Sequence, residues 1–296
     1  MHPYLFSIPL WFRDEPFHLR SFGVLVACGF LFGANILQRL ARKYDKGEDP
    51  DSLAEKYSGV LMWALFGVFG GARVMYVIVE VLRDSSIGQR YLDEPLSMLY
   101  FWEGGLVMYG GFAGGAIMGV LKAKLSGLNW IRSLDMALIS AMFAQGVGRW
   151  GCLLVGDDFG KVVPERFQNL PFPITVHVPN PLPEGSLFGA ENAGQILWAT
   201  QTWMSFNGLI IGLIGLWLLA KRRYAGQVTL WLIVFYAIGR YAIEMFRGDA
   251  IRGLWFNGLM STSQLISVVA GSIALIVIAK FRNRQDPDLP TFQATE

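Results

Sequence analysis

Seven stretches of the chain are apolar for long enough to cross a bilayer, and shorter polar segments separate them. They cover roughly 21–40, 58–81, 104–122, 133–155, 203–220, 227–246 and 259–280. About 20 apolar residues span the hydrocarbon, so each stretch predicts a membrane helix. The third and fourth are rich in glycine: Gly104, Gly105, Gly110, Gly111, Gly114 and Gly115, then Gly146, Gly148 and Gly151. Glycine lets membrane helices approach closely, and paired glycines permit a break beside a cavity. The pattern changes over 156–202, where Pro164, Pro171, Pro173, Pro179, Pro181 and Pro183 stand with Gly160 and Gly185. That connection is too long for a turn and predicts a small head outside the membrane, with a short strand at Ile174–Val178. The connection 82–100 leads into an interfacial stretch at Tyr100, Phe101 and Trp102. No internal repeat is visible, so nothing suggests the inverted repeats of many transporters. The expected fold is an all-α integral membrane protein with seven transmembrane helices. It forms a single membrane domain over 1–285, with the head inserted at about 156–202 and a flexible cytoplasmic tail at 286–296.

Composition agrees. Charged residues are 16 % of the 296, against about 25 % in a soluble domain, too few to coat a globule of this size. Basic residues orient the chain. Arg39, Arg42, Lys43, Lys46 and Lys56 follow the first span; Lys122, Lys124 and Arg132 the third; Lys221, Arg222 and Arg223 the fifth; Lys280, Arg282 and Arg284 the last. These fourteen of 25 fall on one side of a seven-span protein, so the C-terminus is expected in the cytoplasm and the N-terminus outside. A net charge of +2 offers no field for nucleic acid. Cys28 and Cys152 form neither a disulfide framework nor a zinc spacing, and Cys28, in an apolar run, reads as a small core residue. Residues 1–20 contain Arg13, Asp14, Glu15 and Arg20 and do not read as a secretory signal.

Scarce charge makes the buried ones conspicuous, since an ionisable residue within a span is costly and marks a functional site by default. Arg73, Arg149 and Arg240 lie inside spans, and Glu244 and Arg247 follow Arg240 on one helical face. With Glu103, Tyr109, Asp157 and Asp158, the last four of these five fall toward the outer ends of their spans. Arginine is a permanently charged fork suited to phosphate, so the group reads as a site for an anionic phospholipid headgroup. The bland alternative is that Arg240 and Glu244 are a buried pair holding helices in register, with Arg247 snorkelling. An anion transporter or channel, or a non-catalytic lipid-binding protein, also stays open. No phosphate-binding G-x-x-x-x-G-K-[ST] loop occurs. His18 and His177 lack the setting of a serine triad, and no metal is expected at Asp157–Asp158.

One segment is recognisable. Gly148-Arg149-Trp150-Gly151-Cys152-Leu153-Leu154-Val155-Gly156-Asp157-Asp158-Phe159-Gly160 resembles the signature G-R-x-G-N-F-x-N-x-E-x-x-G of bacterial prolipoprotein diacylglyceryl transferases. His18-Leu19-Arg20-Ser21-Phe22-Gly23 resembles the opening of that family's first span. The run from Trp102 to Gly111 resembles its W-x-G-G-[LM]…H-G-G motif, and Gly239 to Arg247 its R-x-x-x-E-x-x-R helix. Gly71-Ala72-Arg73 and Ser261-Thr262-Ser263-Gln264 fit its second and seventh spans.

The resemblance implies a seven-span enzyme of the bacterial cytoplasmic membrane with its active site on the external face. Such enzymes move the diacylglyceryl group of phosphatidylglycerol to the lipobox cysteine of a preprolipoprotein, forming a thioether and releasing glycerol 1-phosphate. No cofactor is implied; the partners are membrane lipid and the lipobox signal peptide. Arg149 and Arg240 are expected to stabilise the departing phosphate, with Arg247 assisting. Glu244 orients Arg240, and Asp157 positions Arg149 or the headgroup glycerol. Gly160, Arg73 and Arg20 complete the substrate contacts. The chain departs from the family pattern: Tyr109 stands where many members have histidine, Cys152 and Val155 replace the two asparagines, Asp157 the glutamate, and Phe22 a tyrosine. An unperturbed phenol, with a pKa of about 10, is a poor resting base, so either the family's histidine is not the general base or this chain activates the thiol otherwise; Tyr109 is counted with Arg149, Arg240 and Glu244 among the catalytic residues, hydrogen bonding to the headgroup being its milder role, and Cys152 reads as structural.

Overall fold

In the computed structural model, residues 1–9, 11, 16–45, 49–100, 104–248, 253–256 and 258–286 are described. Among them the molecule is mostly helical, with α1 (Ser21–Tyr44), α2 (Pro50–Leu82), α3 (Ser86–Asp93), α4 (Met108–Leu125), α5 (Trp130–Val155), α6 (Thr200–Lys221), α7 (Gln227–Glu244) and α8 (Thr262–Lys280). Three two-stranded antiparallel sheets accompany them: β1 (Tyr4–Ile8) with β2 (Phe17–Arg20), β3 (Thr175–His177) with β4 (Ile196–Trp198), and β5 (Leu254–Trp255) with β6 (Met260–Ser261).

Five helices, α1, α2, α5, α6 and α8, are long and apolar enough to cross a membrane. The third and sixth apolar stretches also fold as helices, α4 and α7, each of 18 residues. At 1.5 Å per residue that is about 27 Å, slightly short of a hydrocarbon core of about 30 Å. Glycine dilutes the hydropathy of α4, and Arg240 with Glu244 that of α7. The helix α4 starts four residues later than the apolar pattern predicts, because Gly104 and Gly105 take φ of +84° and +80° and cannot open a right-handed helix. The helix α2 begins earlier, at Pro50, because Asp49 caps it by accepting from the N–H groups of Asp51 and Ser52.

The chain forms two compact units, residues 38–134 and residues 1–37 with 135–296. In the first, α2 packs on α4 through facing glycines. A Cβ on Gly67 would strike the Gly114 carbonyl and one on Gly71 the Gly110 carbonyl, and the reverse substitutions clash likewise. The paired glycines of α4 thus serve close packing, and the helix runs through them unbroken. Tyr57 donates to Asp45 at 2.8 Å and bonds Ser133 at 3.0 Å.

In the second unit, α1 lies on α5, where a Cβ on Gly29 would sit 2.6 Å from the Ala144 carbonyl oxygen. The helix α6 meets α5 through Ser205, which donates to the Gly146 carbonyl at 2.5 Å. Asp135, a fully buried carboxylate in α5, holds the start of α7. It accepts from the N–H of Gly226 at 2.9 Å and from the N–H and hydroxyl of Thr229 at 2.8 Å, with Arg222 at 3.5 Å. A negative group at a helix N-terminus is favourable. A capping box of Ser261 and Gln264 opens α8. Between α5 and α6 lies a segment without long helices. Strands β3 and β4 pair inside it, the first matching the expected short strand, over a core of Leu153, Val176, Val178, Phe188, Leu197 and Ala199.

Cys28 is exposed on α1 and is not a core residue. In a chain built for lipid an apolar position does not imply burial inside the protein, because the outer face of a helix is apolar too. Phe101, Trp102 and Glu103 lie outside the described residues, as do Lys46, Arg13, Asp14 and Glu15. Of the tail, Asp286 is described: its N–H donates to the Arg223 carbonyl and its carboxylate accepts from Ala225, both at 2.9 Å.

Candidate active site

The helix α5 ends where Gly156 takes φ +82° and both Gly156 and Asp157 donate to the Cys152 carbonyl at 2.9 Å. Glycine is required there twice over, since a Cβ would also strike the Phe188 ring. The turn delivers Asp158 in the left-handed region, φ +53°, with its carboxylate between two arginines. One carboxylate oxygen pairs with Nη1 of Arg149, from the last turns of α5, and the other with Nη2 of Arg247, just beyond α7.

Arg247 is held in place from both sides. Residues Gly160 and Arg247 form an antiparallel bridge, Lys161 donates its N–H to Phe246 at 2.7 Å, and Gly248 donates to Phe159 at 3.0 Å. Gly160 is buried, and a Cβ on it would strike the Trp198 carbonyl.

On α7, Arg240 and Glu244 stand one turn apart and face the same interior. Arg240 Nη1 lies 2.7 Å from Glu244 Oε2, an ion pair out of line for a hydrogen bond, and Nη2 donates to the Ser263 hydroxyl at 3.0 Å. Arg247 Nη1 reaches the same Glu244 oxygen at 3.8 Å. Relative exposures of 7 %, 2 % and 9 % for Arg240, Glu244 and Arg247 put these charges in a low-dielectric setting, where each needs a partner. Burial alone would raise the Asp158 carboxyl, but Arg149 and Arg247 outweigh it and hold the group below the usual carboxylate range.

The structure therefore brings together Arg149, Arg240, Glu244, Arg247 and Gly160. The C-terminal ends of α5 and α7 and the N-terminal ends of α6 and α8 supply or support all of them. The pairing with Arg149 that the sequence suggested for Asp157 is made by Asp158; the Asp157 carboxylate is exposed and accepts the Asp158 N–H at 2.9 Å. Nothing in an Asp-Asp pair tells which member turns inward, and the left-handed backbone at 158 decides it. Cys152 is buried, its sulfur 3.8 Å from Arg149 Nη1.

Arg20 is exposed at the end of β2, its guanidinium 5.9 Å from the Tyr4 ring. Arg73 and Tyr109 belong to the other unit. Arg73, 3 % exposed, donates to the carbonyls of Met98 at 2.7 Å, Gly104 at 2.5 Å, Gly105 at 3.3 Å and Ser97 at 3.2 Å. Its donors thus serve the backbone that precedes α4. Tyr109 lies in the first turn of α4 and is partly exposed. Two further residues, Thr200 and Gln201, join the arginine site from the first turn of α6. The polar run Thr200-Gln201-Thr202 opening a mostly apolar helix was the signal for them.

Comparison with known proteins gives the same family. A family model described as prolipoprotein diacylglyceryl transferase matches residues 9–280. Proteins of Staphylococcus aureus strains MSSA476 and JH9 are similar, each 28 % identical over 281 residues, covering 95 % of this chain and 91 % of theirs. Both carry the name phosphatidylglycerol–prolipoprotein diacylglyceryl transferase.

Proposed function

The chain belongs to the prolipoprotein diacylglyceryl transferase family, and we propose that this transferase takes its diacylglyceryl group from phosphatidylglycerol and delivers it to a lipobox cysteine. The observation that carries the reading is a charge balance. Among the buried and half-buried side chains of the cluster, Arg149, Arg240 and Arg247 face Asp158 and Glu244, which leaves one positive charge in excess. A phosphodiester headgroup carries one negative charge and would neutralise it.

In the reaction the cysteine sulfur attacks the glyceryl carbon bonded to the phosphate oxygen. A carbon–sulfur bond forms, the carbon–oxygen bond breaks, and glycerol 1-phosphate departs with the bonding electrons; the thiol proton passes to an acceptor. Charge grows on the phosphate as the bond breaks, and preorganised donors aimed at it lower the barrier. Arg149 and Arg240 take that role and Arg247 supports it. Glu244 fixes Arg240, and Asp158 aligns Arg149 with Arg247. Cationic surroundings also favour the thiolate over the thiol. Contacts of Tyr109, Arg20 and Asp157 with substrate rest on the family resemblance; Arg73 shapes the segment before α4.

The topology proposed is seven spans in one membrane domain, α4 and α7 joining the five longer helices. The C-terminus and its tail lie in the cytoplasm, and the head inserted at 156–202 lies outside. The arginine site gathers the helix ends that this orientation puts at the outer face of the inner membrane, where a secreted cysteine emerges. The same ends carry few of the basic clusters that mark the cytoplasmic side.

The test uses purified protein in phosphatidylglycerol vesicles with a lipobox peptide, read by mass spectrometry. The peptide should gain one diacylglyceryl group, and none in vesicles of phosphatidylcholine. Absence of product beside an active relative would overturn the reading.

A further inference from the structure

Asp158 can reach Arg149 and Arg247 together only because its backbone is held in an uncommon shape. Its φ of +53° follows φ +82° at Gly156, and a residue with a side chain seldom occupies that region, aspartate being among those that tolerate it. Local bonds start the turn, with two N–H groups on the Cys152 carbonyl and the Asp158 N–H on the Asp157 carboxylate.

Two consecutive carbonyls of the turn are gripped from another helix. Thr200 donates its hydroxyl to the Asp158 carbonyl at 2.8 Å, and Gln201 donates Nε2 to the Asp157 carbonyl at 2.9 Å. Both residues are buried, at 1 % and 0 % exposure. The Gln201 Oε1 atom has no hydrogen-bond partner among the described residues. A buried amide satisfied at one end only is a poor choice for stability alone, since an apolar residue of equal volume leaves no orphaned acceptor. A residue kept on such terms fits a task that needs its donor.

We propose that Thr200 and Gln201 are positioning residues for the transfer reaction, locking the Asp157–Asp158 turn so that one carboxylate aligns both Arg149 and Arg247. They touch no reacting atom and act through Asp158. The proposal rests on the reading of the arginine cluster as the site of transfer.

Thr200→Val removes the hydroxyl at nearly constant volume, Gln201→Met removes the amide donor at constant length, and Thr200→Ser keeps the donor. All are compared with wild type as full-length protein in phosphatidylglycerol vesicles with a lipobox peptide. The valine and methionine variants should lose about tenfold or more in kcat with KM for the lipid within about twofold, because alignment in the transition state is what fails. Their melting temperatures should stay within about 2 °C of wild type, at the low end of the shifts that a modest loss of stability gives a large domain. The serine variant should recover most of the rate.

Wild-type kcat in both variants, a loss confined to KM, a rate loss that follows a fall in melting temperature, or a serine variant as slow as valine would each overturn the proposal. If one variant fails to fold the other decides; if both fail, the pair is structural and the proposal falls. Wild-type turnover serves as the separate check on the transferase reading. An inactive wild type overturns that reading, whereas an active wild type with unimpaired variants overturns only the role of Thr200 and Gln201.

Discussion

Replacing Asp158 by asparagine tests the site at the point where its arrangement is most specific. The change keeps the shape of the side chain and removes the charge that two arginines share. The side chain is 25 % exposed, so screening is incomplete and the pairs count for more than surface ion pairs. A hydrogen bond to a charged group contributes about 1.5–3 kcal/mol, and asparagine retains part of one of the two. The loss worked from these contacts is about 3 kcal/mol of transition-state stabilisation, or roughly 100-fold in kcat. Ground-state affinity for an anionic lipid should not weaken, because the cluster gains net positive charge. The expected result is a kcat near one hundredth of wild type with KM unchanged or lower, measured by product formation on phosphatidylglycerol vesicles. Asp157→Asn is the comparison: its carboxylate is exposed and asparagine still accepts the Asp158 N–H, so its kcat should fall less than that of Asp158→Asn. Equal effects of the two substitutions, or a rise in KM at constant kcat for Asp158→Asn, would show that Asp158 does not align the arginines for the transfer.

Three other outcomes follow from the same geometry. The Asp158 carboxyl faces Arg149 and Cys152 of α5, Asp157 beside it, Arg240 of α7 and Arg247, and it titrates below the ordinary range. Its contribution to stability is complete above the free-chain pKa of about 3.9 and is lost as pH falls through the lower folded value, so the melting-temperature gap between wild type and Asp158→Asn should hold at pH 5 to 7 and close below about pH 4. Gly160→Ala would drive a methyl group into the Trp198 carbonyl, a backbone atom that cannot turn aside, and should destabilise by about 2 kcal/mol, seen as a lower thermal midpoint. Arg73→Leu should take this donor from the carbonyls of Met98 and Gly104, the Ser97 carbonyl keeping the Tyr100 N–H, and speed amide exchange across 97–100 and 104–107, about 3 kcal/mol of local stability being lost.

Much of this was legible in the chain for a physical reason. In hydrocarbon, every apolar run must close its own backbone bonds, so the seven apolar stretches all appear as helices, α1, α2, α4, α5, α6, α7 and α8. The scarcity of charge exposed Arg149 and Arg240, and helical spacing attached Glu244 and Arg247. What the sequence concealed depends on backbone conformation or direction. The late start of α4 follows from two glycines with positive φ, and the choice of Asp158 over Asp157 from one left-handed residue. Arg73 looked like its companions in sequence, yet it serves carbonyls of its own unit, a use that spacing does not reveal. Cys28 read as core because pattern does not separate a helix face turned to protein from one turned to lipid.

The role proposed for Arg149 and Arg240 is to stabilise the phosphate that leaves. The direct measurement is single-turnover formation of the thioether peptide, together with glycerol phosphate released, by wild type, Arg149→Ala and Arg240→Ala at equal amounts of folded protein. Wild type should release one glycerol 1-phosphate per thioether, and each variant should form both products about 100-fold or more slowly. Turnover within a few-fold of wild type in either variant would show that its arginine is structural and not part of the chemistry.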